Sequence, residues 1–399
     1  MPIDSADDAV NSVELPSLTT TDAQTFTAPA RVNLIGEHTD YTGGFVLPMA
    51  ISFHTTTQIA PSEDGLYHFS SENFPTTRSL TPANRSSAID DWSDYPVGVL
   101  RQLQTLGIEP PPFMLSISGN VPLGSGLSSS ASVEVATAVA LLSFSNAKLP
   151  TEKIALLCQR AENEYVNSPC GIMDQFVITA ARAGHALLLN TRDLAYELLP
   201  MNRGLLAECC IVIANSMVRH SIAGGDYGLR RRELEAGQTV LRQAFPELRD
   251  LGDASLDQLA SCKASMSHES YRRCRHVISE NARVLEARAA MFAGDPIALG
   301  DTMTRAHASE RDDFECSVAE VDFLVESALL HRGCYGARLT GGGFGGCTVN
   351  LVKTAEAQSF REHLERTYRE HFNIVPETYI SQAVDGAVAR LQHASEAQV

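Results

Sequence analysis

Two glycine-rich loops and two groups of charged side chains hold the residues that could do chemistry in this 399-residue chain. The segment GSGLSSSAS (124–132) lies between FMLSISGN (113–120), which alternates as a strand does, and VEVATAVALLSF (133–144), an apolar run long enough for a buried helix. Glycines there would let the backbone approach a phosphate. Free N–H groups at a helix start face an anion, and serine hydroxyls add donors to phosphate oxygens or ligands for Mg²⁺. The segment lacks the lysine of GxxxxGK[ST] and the third glycine of a dinucleotide fingerprint. Taken alone, it reads equally as a flexible turn with a serine cap. The second loop, LTGGGFGGCTV (339–349), contains GxGxxG at Gly341, Gly343 and Gly346, but it runs into a strand, whereas a dinucleotide site needs it to open a helix. Five glycines in six residues still imply close backbone approach or positive φ, in a ligand loop or a tight interdomain turn.

The charged groups suggest hydroxyl recognition and proton acceptance. ARVNLIGEHTDYTGG (30–44) gathers Arg31, Glu37, His38 and Asp40 beside three glycines. Carboxylates accept from hydroxyls and an imidazole can donate or accept, so vicinal hydroxyls suit this loop. A solvated turn or a metal site are the alternatives, the latter because Glu, His and Asp all ligate metals. Glu162 lies at the edge of the buried face of TEKIALLCQRAENEY (151–165), where a carboxylate is costly unless paired or metal-bound. Asp174 stands at the apolar start of a helix, GIMDQF, where the dipole favours negative charge. There an aspartate can orient a hydroxyl and accept its proton, or serve structurally, as a cap.

The elements that must position these residues read as α+β. FVLPMAI (45–51) is expected to be a strand, an edge or bulged one because of its proline. Residues 61–95, rich in Ser, Pro, Asn and Asp, read as exposed loops and short strands. Thr151 is the expected cap of the helix that carries Glu162. A further helix is expected over 172–183, strand–turn–strand over 185–200, a strand over 208–216, and helices over 227–244 and 272–293. The expected division is a loose acidic lead-in (1–24), an N-terminal domain (25–195) and a C-terminal domain (196–399).

The formal charge of −17 excludes a surface built for nucleic-acid phosphates, and an anionic substrate must find a local positive site. Nine scattered cysteines without zinc-ligand spacing read as reduced thiols and point to the cytoplasm. The acidic N-terminus does not read as a signal peptide, and no segment approaches 18 consecutive strongly apolar residues, so no membrane association is expected.

Taken together, ARVNLIGEHTDYTGG, PLGSGLSSSASVEVA (122–136) and RLTGGGFGGCTV (338–349) resemble, in order, the three motifs of the GHMP small-molecule kinases. PCGIMDQF (169–176) and NSMVRHSIAGGDYGLRRRE (215–233) are similar to stretches of the members that act on galactose. The resemblance implies a two-domain GHMP kinase fold with its active site in the interdomain cleft. It implies transfer of the γ-phosphate of ATP, with Mg²⁺, to the C1 hydroxyl of galactose. By the same resemblance Asp174 is the catalytic aspartate, and Arg31 contacts it and the transferring phosphate. Glu37, His38, Asp40, Gly171 and Tyr227 match sugar contacts. Gly124, Ser125, Gly126, Leu127, Ser128, Ser129 and Ser130 match the phosphate cradle. Ser130 and Glu162 match Mg²⁺ ligands, and Gly342 and Gly343 lie in the motif that closes on the site. A monomer is expected. Two positions depart from the family pattern, Ala30 in place of glycine and Thr42 in place of asparagine, and both bear on substrate choice. The alternatives are a kinase of this fold for N-acetylgalactosamine, arabinose or a sugar acid, and a non-catalytic sensor of galactose and ATP.

Overall fold

In the computed structural model, which describes residues 8–11, 23–122, 124–219 and 226–396, three sheets organise the chain. The strands β1 (Asp8–Asn11), β2 (Gln24–Asn33), β3 (Phe45–Val46), β4 (Pro48–Pro61), β5 (Tyr67–Ser71) and β6 (Thr77–Leu80) precede α1 (Asp94–Thr105). Next come β7 (Phe113–Gly119), α2 (Ser129–Phe144), α3 (Thr151–Arg160), α4 (Met173–Ala180), β8 (His185–Asn190) and β9 (Tyr196–Pro200). One sheet has six strands in the order β1-β6-β5-β7-β4-β2, and β5 and β7 pair in parallel within it. A smaller sheet has the order β3-β8-β9. The second half contains β10 (Cys209–Arg219), α5 (Asp226–Ala244), α6 (Leu256–Ser261), α7 (His268–Ala293), α8 (Pro296–Ser309) and α9 (Ala319–Leu329). It closes with β11 (Cys334–Thr340), β12 (Gly345–Lys353), α10 (Ala357–Phe372), β13 (Glu377–Ser381) and α11 (Ala387–Glu396). Its sheet has the order β11-β12-β10-β13.

Both larger sheets hold their helices by apolar burial. The helix α2 is apolar around most of its circumference, and it packs against β2 and β4 and against α1, α3 and α4. In α10, Phe360, Leu364 and Tyr368 form one buried stripe, and the Tyr368 hydroxyl donates to the Ser216 carbonyl at 2.8 Å. Truncating Phe360 to alanine would cost about 3–5 kcal/mol. The first two sheets lie before residue 201 and the third after residue 208, but α11 crosses back to pack on α4 and β2. Ala387 and its neighbours thereby join the N-terminal core.

Several local expectations change. FVLPMAI is not one strand. Phe45 and Val46 pair with β8, Leu47 turns between sheets, and Pro48 opens β4, an interior strand lying between β2 and β7. Proline is tolerated as the first residue of a strand, and the bulge lies further along β4 itself, where Ser52 and Phe53 fall between the pairs Pro29–His54 and Ala30–Ile51. Asp8–Asn11, inside the stretch read as a loose lead-in, forms an edge strand on β6. Pro150, not Thr151, is the residue flanking α3. Within 61–95 the short strands β5 and β6 appear as expected, and α1 starts at its end, where Asp94 accepts from the N–H groups of Ile89 and Asp91 and pairs with buried Arg78.

Candidate active site

Arg31 follows the register shift between β2 and β4, and its side chain reaches Asp174 in the first turn of α4. Arg31 is 5% exposed. Its Nε and Nη2 each donate at 2.6 Å to the two oxygens of Asp174, and Nη1 donates at 2.6 Å to the Gly126 carbonyl. Its backbone N–H also reaches the Leu127 carbonyl at 3.3 Å. One guanidinium thus ties the catalytic candidate Asp174 to the serine loop, 143 residues apart in one case and 95 in the other. A planar fork suits this task in a way an ammonium does not. Burial opposes the charge of Arg31, but Asp174, with Glu37 and Asp40, outweighs it and the pKa is raised. The Ser128 hydroxyl also donates to Asp174. Ser128 flanks α2 in a left-handed conformation (φ 62°), uncommon for serine and typical of strained functional positions. The Asp174 side chain keeps 26% of its surface open, enough for a reacting hydroxyl to reach it.

The serine loop presents its residues unevenly. Gly124 and Gly126 are exposed, whereas Leu127 is buried among apolar residues. The Ser125 hydroxyl turns back to the Pro122 carbonyl at 2.7 Å. Ser129 and Ser130 open α2 and line a cavity at its N-terminus. The third motif is the β11–β12 connection and packs backbone to backbone on this loop. A Cβ on Gly341 would lie 3.2 Å from the Gly126 carbonyl oxygen. Its far side is pinned by the Phe344 N–H to the Cys316 carbonyl at 2.7 Å, where a Cβ on Gly343 would stand 2.4 Å from that oxygen. Gly342 faces the Tyr227 ring.

Glu37, His38 and Asp40 come together beneath this loop. Glu37 Oε1 accepts from the Gly341 N–H at 2.8 Å and lies 3.5 Å from buried Arg338, so it latches the first motif to the third. Burial raises its pKa although Arg338 and Arg31 pull it down. His38 stacks on Phe314 with ring centroids 3.9 Å apart, bonds the Tyr41 hydroxyl through Nδ1 at 2.9 Å, and keeps Nε2 buried without a partner. Burial, then His276 and Arg338, hold its pKa well below the usual value, so the ring is neutral. Burial, then Asp174 and Glu37, push Asp40 up to about 7. Gly171 is indispensable to this arrangement, because a Cβ there would lie 1.7 Å from Asp40 Oδ2. Tyr227 stands beside them, its ring 6.1 Å from that of His38. Residues 220–225 of the stretch read at 215–233 lie outside the described residues. Helix α7 supports the loop from behind: Glu280 accepts from the Gly36 N–H at 2.8 Å and Asn281 from the Phe45 N–H at 2.7 Å. Neither departure from the family pattern faces the cluster. Ala30 is buried in the apolar core, and the Thr42 hydroxyl closes a turn on the Thr39 carbonyl at 3.0 Å.

A second acidic group lies where α2, α3 and α4 meet. Glu162 is 7% exposed, in a widened π turn (161–166) that continues α3. Such turns recur at functional sites. Burial and then Asp174 push its pKa up to about 7, with Cys170, Ser130 and Gln175 pulling it down. Glu134, one turn beyond Ser130, is fully buried with Oε1 unpartnered, and burial and then Glu162 raise its pKa well above the usual range. Among the described residues no three His, Cys, Asp or Glu side chains converge as a metal cage. Mg²⁺ needs no such cage: it takes one or two carboxylates, retains waters and binds substrate phosphates. Glu162 and Ser130, an all-oxygen pair in an anion-rich pocket, fit it.

Sequence reasoning missed the wall of the cavity beside α2. This cavity, about 250 Å³, is lined by Ser129, Ser130 and Val133 of the helix and by Phe74, Trp92 and Tyr95. Phe74 and Trp92 stack, 6.0 Å apart and 6° from parallel. The signal was available: the chain's one tryptophan sits in a polar stretch between two aromatics. Glu134 and Gln175 were also missed, as polar residues inside apolar helical runs.

Comparison with known proteins bears on the whole chain. The model of the GHMP kinases N terminal domain matches residues 94–182, that of the GHMP kinases C terminal matches 287–370, and the galactokinase galactose-binding signature matches 19–61. The chain is 39% identical over 368 residues to a galactokinase of Halalkalibacterium halodurans, covering 92% of each protein. It is 41% identical over 373 residues to the human galactokinase, covering 90% of each. The crystal structure of Lactococcus lactis galactokinase complexed with galactose superposes with a TM-score of 0.87 at 33% identity, covering 92% of this chain and 95% of that one. The Methanococcus jannaschii mevalonate kinase shares the fold, with a TM-score of 0.64 at 19% identity.

Proposed function

The chain belongs to the galactokinases of the GHMP kinase family, and we infer from this and from the geometry that it transfers the γ-phosphoryl group of ATP to the C1 hydroxyl of galactose. The observation that carries the residue assignment is the two-pronged Arg31–Asp174 pair, part-exposed at the aspartate and tied to the phosphate loop through Gly126. The sugar lies over Asp174, with Asp40, Glu37, His38 and Tyr227 meeting its hydroxyls. The triphosphate lies along Gly124–Ser130 at the N-terminus of α2, whose N–H groups offset its charge. The adenine occupies the cavity beside Trp92 and Tyr95.

In this reading Asp174 accepts a hydrogen bond from the C1 hydroxyl and aims its oxygen at the γ-phosphorus. As the new P–O bond forms and the bond to the β-phosphate oxygen breaks, the hydroxyl proton passes to Asp174 and ADP leaves. The transition state is loose, so positioning and charge neutralisation carry most of the catalysis. Arg31 keeps Asp174 in place and, with two of its five N–H groups uncommitted, can also face the transferred phosphate. Glu162 and Ser130 would hold Mg²⁺, which when bound would supply positive charge against the phosphates. The nine unpaired cysteines suit the reducing cytoplasm. The proposed state is a monomer, and light scattering checks it. Asp174→Asn is expected to lower kcat by at least about 10³-fold, with galactose binding still measurable by calorimetry. Turnover near that of the parent enzyme would overturn the assignment.

A further inference from the structure

Gln175 follows Asp174 on α4 and has no exposed surface. Its amide nitrogen donates to two carboxylates at once, Glu162 Oε2 at 2.7 Å and Glu134 Oε2 at 3.0 Å. A side-chain amide carries two protons on nitrogen, so each carboxylate takes one. With the nitrogen between the two carboxyl groups, the amide oxygen is left buried without a partner. Glu134 stands on α2 one turn beyond Ser130. The amide therefore joins three elements: the phosphate-loop helix α2, the π turn that carries Glu162, and the helix that carries Asp174. Glu162 Oε2 is committed to Gln175 and Cys170, which leaves Oε1 for a cation.

We propose that Gln175 is a positioning residue, which holds the Glu162 carboxylate in its cation-binding orientation at a set distance from Asp174, with Glu134 as the buried acceptor that keeps the amide aimed. The proposal rests on the reading of Glu162 as a Mg²⁺ ligand. Groups that orient a ligating carboxylate typically change metal affinity about 10- to 100-fold when removed. The Gln175 side chain donates to Glu162, Glu134 and Cys170 and to no residue assigned to the sugar, so the effect should be confined to the metal.

The test is a Mn²⁺ titration followed by electron paramagnetic resonance on the full chain with ADP present. It compares the parent with Gln175→Met, which keeps length and loses both donors, and with Glu162→Gln. The expected result is Mn²⁺ binding weakened about 10- to 100-fold in Gln175→Met and strongly weakened in Glu162→Gln, with the galactose KM of Gln175→Met within about twofold of the parent. If Glu162→Gln weakens binding and Gln175→Met matches the parent, the positioning role is wrong. If Gln175→Met weakens Mn²⁺ and galactose alike, its role is general packing, and the proposal also fails. If Glu162→Gln binds Mn²⁺ like the parent, the reading of Glu162 itself is at fault. Should Gln175→Met not fold, nitrogen-15 spectra of the parent decide: the Gln175 amide protons should exchange slowly and shift on adding Mg²⁺ with ADP. Fast exchange without a shift would overturn the proposal.

Discussion

Replacing Gly171 with alanine isolates the sugar side of the site from the phosphate side. The backbone at Gly171 has no positive φ, and the nearest obstacle to a side chain is the Asp40 carboxylate. The new Cβ would fall 1.7 Å from Asp40 Oδ2 and 2.2 Å from its Cγ, where ordinary contact begins near 3.4 Å. Subtracting 1.7 from 3.4, the carboxylate must retreat by about 1.7 Å, or the loop must move. A hydrogen bond from a sugar hydroxyl does not survive such a shift. Losing one bond to a charged acceptor costs about 1.5–3 kcal/mol, or roughly 10- to 150-fold in galactose KM. Arg31, Asp174 and the serine loop are untouched, so the KM for Mg-ATP should stay within about twofold. Steady-state kinetics on Gly171→Ala, Asp40→Ala and the double variant complete the assay. In the Asp40→Ala background the obstructing atoms are gone, and Gly171→Ala should add almost nothing. An equal added cost in both backgrounds would refute the reasoning, as would an unchanged galactose KM in the single variant.

Three further outcomes are expected. Asp40 is pushed up from 3.8 to about 7, so the folded protein binds its proton more tightly than the unfolded chain does between about pH 4 and 7, and that share of stability is lost as pH rises through 7. Asp40→Asn should therefore melt higher than the parent at pH 8, by about 1–2 kcal/mol once partial exposure is discounted, and the gain should vanish near pH 4. Arg31→Lys keeps the charge but loses the fork, and kcat should fall about 10²- to 10³-fold with calorimetric galactose affinity retained. Trp92→Ala should raise the KM for Mg-ATP about 5- to 150-fold, as expected for one lost base–aromatic stack, and leave the galactose KM unchanged.

The three motifs made the main parts of the site legible, because each needs particular residues next to one another in the chain. What joins the motifs was not legible from spacing. Arg31 and Asp174 are 143 residues apart, and nothing local to either announces the other. Glu37 reads as a hydroxyl acceptor in its loop, yet Oε1 is taken by Gly341, a partner that appears once the β11–β12 connection folds over it. Glu134 and Gln175 lie in helical runs where one polar residue looks like a solvent-facing position, and only packing of α2 on α4 reveals their burial. The split of FVLPMAI follows from competition between two sheets for one apolar run, which periodicity cannot resolve. The return of α11 to the N-terminal core is likewise a long-range packing choice.

The most direct test of the account is to incubate the purified chain with Mg-ATP and, separately, galactose, N-acetylgalactosamine, arabinose and glucose, and to follow ADP release while locating the phosphate by phosphorus-31 and carbon-13 NMR. The account predicts rapid ADP release with galactose, much slower release with the others, and galactose 1-phosphate as product. Phosphate at another position, preference for another of these sugars, or binding of galactose and ATP with no product would contradict it.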